Sequence, residues 1–504
     1  MTDAAKAVAV PAQTVTVAGH PRGLFTLFFT EMWERFSFYG MRALLVLFMV
    51  DAVQRGGLGL TDETATAIYG LYTALVYLAS LPGGWMADRL LGAQRSVWFG
   101  GLIIAAGHFT LAVPGYHSFF LGLLLVILGT GLLKPNISAI VGELYPDGGA
   151  RRDAGFTIFY MGINLGAAIG PLICGGLGEK MNWHYGFAAA GFGMLFGLLQ
   201  FRLTAHHLGK AGLFPHRKRD AADTGIDKAW YIVAAGAAAI VLTVVLGFTG
   251  AVRFNPVRLA RNATYVIVGL GALYFTSIFL FGRLTAEEKR RSLALLVLLL
   301  ASAMFWSGFE QAGSSLNLFA DRHTQRILDA FRFEIPASWF QSLNPVFIIT
   351  LSPLFAMLWV YLGRRGRNPS IPAKFACGLV LLGLGFLVMA AASELVTSGN
   401  RVLPTWLITT YLLHTVGEIC LSPVGLSAVT KLAPRRFVGQ MMGLWFLATS
   451  LGNLIAGLIA GQVTGERVEQ MPSMFTQVAL IVAGTGLLLL LFVRPLRKLT
   501  GNIR

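Results

Sequence analysis

The feature that most restricts this chain is the way apolar runs fill it from end to end. Fourteen stretches follow one another at about 23–50, 64–87, 95–113, 117–142, 152–178, 184–205, 229–250, 263–283, 290–318, 338–363, 373–393, 403–431, 437–462 and 474–494. Each approaches or exceeds the roughly 20 residues that a helix needs to cross a bilayer. Hydrocarbon offers the backbone no water to bond with, so only helices and closed barrels span it. The runs lack the ten-residue alternation of a barrel. The sequence therefore predicts an all-α polytopic membrane protein with 14 transmembrane helices. Charged residues make up 13% of the 504, about half the ~25% of a soluble domain. A soluble enzyme, a disordered protein and a nucleic-acid binder are excluded, as is a soluble head on a single anchor.

The net charge of +16 reads as a topology signal. With the N-terminus inside, 27 of the 40 Lys and Arg fall on the cytoplasmic side, 10 outside and three within spans. Positive charge gathers on the cytoplasmic face of membrane proteins, so both termini are expected there. Arg253, Arg258 and Arg261 run against the trend, where contact with lipid headgroups is plausible. Residues 1–20 have no apolar core, so no signal peptide is expected. Cys174, Cys377 and Cys420 all lie in apolar runs and read as small core residues.

An internal repeat organises the spans. Arg151–Arg152 leads into a stretch ending at Gly170, and Arg435–Arg436 leads into a similar one ending at Gly457, each after a proline, Pro146 or Pro434. The pairing requires two six-helix halves separated by two extra helices. Duplicated six-helix halves are the build of major facilitator transporters. The stretch Gly83–Gly92, with its spaced glycines, acid and base, matches that superfamily's loop between spans 2 and 3. The expected organisation is a cytoplasmic tail (1–22), an N-terminal six-helix bundle (23–205), a cytoplasmic linker (206–228), two inserted helices (229–283), a C-terminal six-helix bundle (290–494) and a cytoplasmic tail (495–504).

Charge inside a membrane is costly and usually faces an internal cavity. In the first span, Glu31, Arg35, Phe38, Tyr39 and Arg42 fall within about 100° of one helix face, with Glu34 at its edge. So many polar groups in twelve positions read as a cavity wall. Other spans add Lys134, Tyr160 with Asn164, Trp306 with Glu310, Gln341 with Asn344, and Glu418 with Ser422. Depth along the helices suggests two ion pairs between the halves. Arg42 with Glu310 would lie toward the outside, and Lys134 with Glu418 at or below the middle. Two such pairs suit alternating gates.

Four deep carboxylates (Glu31, Glu34, Glu310, Glu418) face three bases (Arg35, Arg42, Lys134). One carboxylate is left over, and burial balanced against a neighbouring arginine lets such a group take up and release a proton. No Walker motif occurs, so ATP is not expected as energy source and a proton gradient is the alternative. Bases on one side and Glu418, Asn164 and Asn344 on the other suit the two ends of a zwitterion. Tyr39, Tyr77, Trp306, Trp445 and Phe446 would supply apolar walls. A short peptide fits; an amino acid, with its charges close together, fits less well.

These motifs resemble the proton-dependent oligopeptide transporter family. Glu31-Met-Trp-Glu34-Arg35 is similar to its ExxER signature, and Phe159-Tyr160-Met-Gly-Ile-Asn164-Leu-Gly166 to its FYxxINxG motif. Phe309-Glu310-Gln311, Gln341-Ser-Leu-Asn344-Pro345 and Gly417-Glu418-Ile-Cys-Leu-Ser422-Pro423 resemble its seventh, eighth and tenth core helices. The resemblance runs from about 22 to 495. It implies a symporter importing di- and tripeptides with protons. Glu31, Glu34 and Arg35 would couple protons, joined in that expectation by Glu310 and Glu418. Arg35, Tyr39 and Lys134 would lie near the peptide carboxylate, with Arg42 close by. Asn164, Asn344 and Glu418 would hold the amino end. Tyr77, Tyr160, Trp306, Ser422 and Trp445 would line side-chain pockets, and Arg42 with Glu310 would form the outer gate. The family usually has two tyrosines after ExxER; here the first is Phe38, which removes one hydroxyl. His414, one turn before Glu418, reads as a packing histidine. The expectation is a monomer in the bacterial cytoplasmic membrane, needing no cofactor, metal or ATP, with protons as co-substrate.

Two other classes fit less well. A membrane enzyme would need a catalytic cluster, and neither HExxH nor GxSxG occurs. A static channel needs no alternating gates. Within the transporters, nitrate, a small zwitterion or a drug is the nearest alternative substrate.

Overall fold

The computed structural model describes residues 16–214, 228–328, 332–462 and 465–500. Much of the expected N-terminal tail and linker, and the last four residues, lie outside that range. Among the described residues the helices are α1 (Arg22–Val50), α2 (Asp62–Met86), α3 (Ala93–Leu111), α4 (Tyr116–Glu143), α5 (Gly149–Lys180), α6 (Trp183–Thr204), α7 (Lys228–Phe248), α8 (Pro256–Phe281), α9 (Ala286–Phe309), α10 (Ser315–His323), α11 (Leu343–Arg364), α12 (Ile371–Thr397), α13 (Thr405–Leu432), α14 (Val438–Ala460), α15 (Met471–Leu491) and α16 (Val493–Leu499). Setting aside the short α10 and α16, the fourteen long helices coincide with the fourteen apolar runs. Two small antiparallel hairpins complete the structure: β1 (Thr16–Val17) with β2 (His20–Pro21), and β3 (Ile327–Leu328) with β4 (Phe333–Glu334).

Among the described residues, twelve spans are long and apolar enough to cross a membrane. Besides the short α16, the helices outside that set are α1, which carries Glu31, Glu34, Arg35 and Arg42, and α3, which carries Gln94, Arg95 and His108. Side chains cap the starts of α2, α6, α8 and α9. Thr285 accepts from the Glu288 N–H while the Glu288 carboxylate accepts from the Thr285 N–H, a reciprocal arrangement that satisfies two orphan donors. Asn255 caps α8, and Pro256 begins it.

The structure corrects three details of the sequence reading and adds a helix at the C-terminal tail. Gly83–Gly92 is not a loop: α2 continues through a π-helical turn, Ala87–Leu91, and the chain reverses only at Gly92, where φ is +79°. The ninth apolar run is not one helix. It breaks after Phe309 into a 3-10 turn, Glu310–Gly313, before α10 resumes. The C-terminal tail is helical as far as Leu499. Cys174 and Cys420 are buried, but Cys377 is exposed, because an apolar run does not say which of its faces meets lipid.

Helices α1–α6 pack among themselves, as do α9–α16, with α2 against α14 and α5 against α11 across the divide. Glycine makes the closest approaches possible. A methyl on Gly166 would sit 2.1 Å from the Met32 carbonyl oxygen, and one on Gly70 would sit 3.1 Å from Gly457 Cα. Small residues at such crossings let backbones touch and increase van der Waals packing. Helix α8 lies against α2 and α14. Only Ala229 of α7 is buried.

Candidate functional site

Between the two halves lies a cavity of about 300 Å³, within the usual range for small-ligand sites. Its wall is built from α1, α2, α4 and α5 on one side and α9, α11, α13 and α14 on the other. Each of the twelve side chains expected to contact substrate lines it: Arg35, Tyr39, Arg42, Tyr77, Lys134, Tyr160, Asn164, Trp306, Asn344, Glu418, Ser422 and Trp445. Glu31 and Glu310 line it as well. Glu34 does not. It is fully buried behind Arg35 and reaches the cavity only through that side chain.

The charges on α1 form one cluster. Arg35 Nε is 3.2 Å from Glu31 Oε1 and also donates to Glu34 Oε2. Its guanidinium carbon lies 5.1 Å from the Phe38 ring centroid, and Phe38 stacks on Tyr72. Two turns on, Arg42 Nη2 is 2.9 Å from Glu310 Oε2, and Arg42 Nε donates to the Tyr69 hydroxyl at 2.7 Å. Glu310 follows directly on the regular α9 and opens the 3-10 turn. Gly313 ends that turn, and a methyl on it would sit 2.1 Å from the Tyr69 hydroxyl.

The second expected pair is not formed. Lys134 Nζ lies 4.2 Å from the Tyr77 ring centroid, and no carboxylate among the described residues is within ion-pair distance of it. Glu418 instead accepts from Asn344 Nδ2 at 2.9 Å, and Asn344 donates also to Thr415 Oγ1 at 3.1 Å. The leftover-carboxylate count also needs correcting. Arg35 serves two carboxylates, so Glu418 is without a base and Lys134 is without an acid.

Sequence reasoning missed four groups: Tyr69, Tyr411, Thr415 and Thr449. Tyr411 and Thr449 line the cavity. The signal was available for Tyr411, which lies two turns before Glu418 and so shares its helix face. Asn164 donates to its own Tyr160 carbonyl at 2.9 Å. His414 lines the cavity against Phe386, with ring centroids 4.9 Å apart.

The two ends of the cavity differ. Toward the ends of α1 and α5, the halves are tied together. Arg322 forms a bidentate pair with Asp62 at 2.6 and 2.8 Å, and Lys180 meets Glu334 at 2.8 Å. Asn317 donates to the Ala43 carbonyl, Trp339 to Leu172 and Ser342 to Ala168. Near the middle, Ser450 donates to the Ala74 carbonyl. These cross-bundle hydrogen bonds and ion pairs lie from mid-helix to this closed end.

A cavity between duplicated helical halves, closed at one end, is the architecture of a membrane transporter of the major facilitator fold. A family model described as the POT family matches residues 94–474. The chain is 44% identical to "Peptide transporter YePEPT" of Yersinia enterocolitica, over 97% of this chain and 96% of that protein. It is 39% identical to a "Di-/tripeptide transporter" of Lactococcus lactis subsp. cremoris, over 97% and 98%. A crystal structure of a peptide transporter in complex with sulfate superposes with a TM-score of 0.89 at 43% identity, covering 96% and 97% of the two chains. The chain belongs to the POT family.

Proposed function

We propose that this protein imports di- and tripeptides together with protons by alternating access. The observation that carries the reading is the pair of uncommitted charges on facing walls, Lys134 on one half and Glu418 with Asn344 on the other. A peptide placed between them would bring its carboxylate to Lys134 and Arg35, and its ammonium to Glu418, Asn164 and Asn344. Tyr77, Tyr160, Trp306 and Trp445 would border its side chains. Peptide transport by the relatives supports the same substrate class, and a related transporter was solved with 5-aminolevulinic acid, a small zwitterion, at 35% identity.

The Lys and Arg bias places both termini in the cytoplasm, so the closed end faces outward and this conformation faces inward. In the opposite state Arg42 and Glu310 would separate while Lys134 and Glu418 approach one another. Binding of a peptide carboxylate near Arg35 would compete with Glu31 and Glu34 for the guanidinium. A carboxylate that loses its arginine holds a proton more tightly, which links peptide to proton. We place the protein as a monomer in the bacterial cytoplasmic membrane.

The test is uptake of labelled di-alanine by reconstituted protein under an inward proton gradient. Accumulation above the outside concentration, abolished by a protonophore, is the expected result. Uptake indifferent to the protonophore, or faster uptake of nitrate than of peptide, would overturn the proposal.

A further inference from the structure

The closed end contains a carboxylate that the gate of Arg42 and Glu310 does not involve. Glu179, in the last turn of α5, reaches across to the other half. Its Oε2 accepts from the Ala337 N–H at 2.8 Å, and its Oε1 accepts from the Ser338 N–H at 2.9 Å and the Ser338 hydroxyl at 2.5 Å. Those donors belong to the 3-10 turn, Ala337–Ser342, that leads into α11. The Glu179 side chain is only 9% exposed, and so is that of Arg326, whose Nη1 lies 3.8 Å from Oε2.

Arg326 is itself held by the Ile335 carbonyl at 2.7 Å, Asp321 Oδ1 at 2.9 Å and Glu334 Oε1 at 3.2 Å. It thus ties hairpin β3–β4 and α10 together beside Glu179. The crossing is tight: a methyl on Gly175, one turn before Glu179, would lie 2.0 Å from Ser338 Oγ. The neighbouring bridge from Lys180 to Glu334 is far more exposed, at 34% and 42%.

We infer that Glu179 is a second outer latch, a positioning residue that holds the start of α11 against α5 and must let go for the closed end to open. The inference rests on the alternating-access reading above. A buried carboxylate with three donors from the opposite half loses all three when α5 and α11 part, and charge-assisted bonds of this kind are the strong ones. Arg42 and Glu310 close the cavity itself; Glu179 closes the periphery, at the far end of the same interface.

The experiment needs no substrate, so failure of the peptide reading and failure of the latch are separable. Spin labels at Val53→Cys and Leu403→Cys, both exposed on the closed side, in a Cys377→Ser background, report the separation of the halves by double electron–electron resonance in lipid nanodiscs. Glu179→Ala is expected to raise the long-distance population severalfold over the unsubstituted latch. Gly175→Ala, which wedges Ser338 away, is expected to do the same. Lys180→Ala, which removes only the exposed bridge, is expected to leave the distribution in place. An unchanged distribution in folded Glu179→Ala overturns the inference, as does an equal shift in Lys180→Ala. If Glu179→Ala does not fold, Gly175→Ala decides by the same criterion.

Discussion

Arg42 and Arg35 carry the same charge on one helix, yet they are held for different ends. Arg35 is shared between two carboxylates one turn or less away. Arg42 crosses to the other half and meets a single carboxylate, with one tyrosine hydroxyl in support. Replacing Arg42 with Gln would leave Glu310, 4% exposed, without its cation. Removing one partner of a buried pair costs about 3–5 kcal/mol, whereas removing both costs much less. Thermal melting in detergent should therefore fall markedly for Arg42→Gln and recover much of the loss in the double variant Arg42→Gln/Glu310→Gln. At the surface the sign of a pH effect can be worked out for Glu334. The hydrogen bond from Lys180 and the nearby guanidinium of Arg326 hold its carboxyl below the ordinary glutamate value, against a smaller opposing effect of burial. Its contribution is complete above the unfolded-state value and is lost only as pH falls through the lower folded value. The melting difference between the natural protein and Glu334→Gln should thus persist from neutral pH past the ordinary glutamate range and vanish only below it. A difference lost near pH 6 would contradict this. Most of the site could be read from residue positions, because burial makes charge conspicuous and helical spacing gives its face. Arg42 and Glu310 paired as depth suggested. Lys134 and Glu418 did not, since equal depth permits a contact without saying in which conformation it forms. Glu179 left no such trace: two of its donors are main-chain N–H groups 158 and 159 positions along the chain.

At the level of elements, the fit between α1 and α5 sets what can move. Gly166 and Gly170 bring α5 against the α1 backbone, and a methyl on the latter would sit only 2.5 Å from the Phe36 carbonyl oxygen. A backbone neighbour cannot rotate away, so Gly166→Val should push the helices apart. Overpacking of a tight contact costs about 1–3 kcal/mol. Lower melting together with slower peptide uptake is the expected outcome, and a silent Gly166→Val would refute the close-contact account. The helices themselves were plain from apolar length. Their internal breaks were not: the π turn after Met86 and the 3-10 turn at Glu310 contain no proline that would mark them. There, tertiary contacts such as Gly313 against Tyr69 decide the backbone.

On the scale of the molecule, the inserted pair α7 and α8 obeys a parity rule. Two crossings return the chain to the side it left, so the C-terminal bundle keeps its orientation only when both are present or both absent. A variant lacking 229–283, joined by a short polar linker, should still insert with its C-terminus inside and retain peptide uptake. A variant lacking α7 alone should misinsert. Protease access to a C-terminal tag in sealed vesicles distinguishes the two, and a correctly inserted single deletion would refute the rule. The unbroken length of α1 has a further consequence for the proposed cycle. Glu34 and Arg42 are eight residues apart on a helix that contains no proline, about 12 Å along one stiff rod at 1.5 Å per residue. A rotation that frees the gate also displaces the carboxylates, so the two events share one mechanical coordinate and need no relay of side chains between them. Slippage, in which protons leak without cargo or cargo moves without protons, would require that rod to bend between Glu34 and Arg42, where it contains no proline.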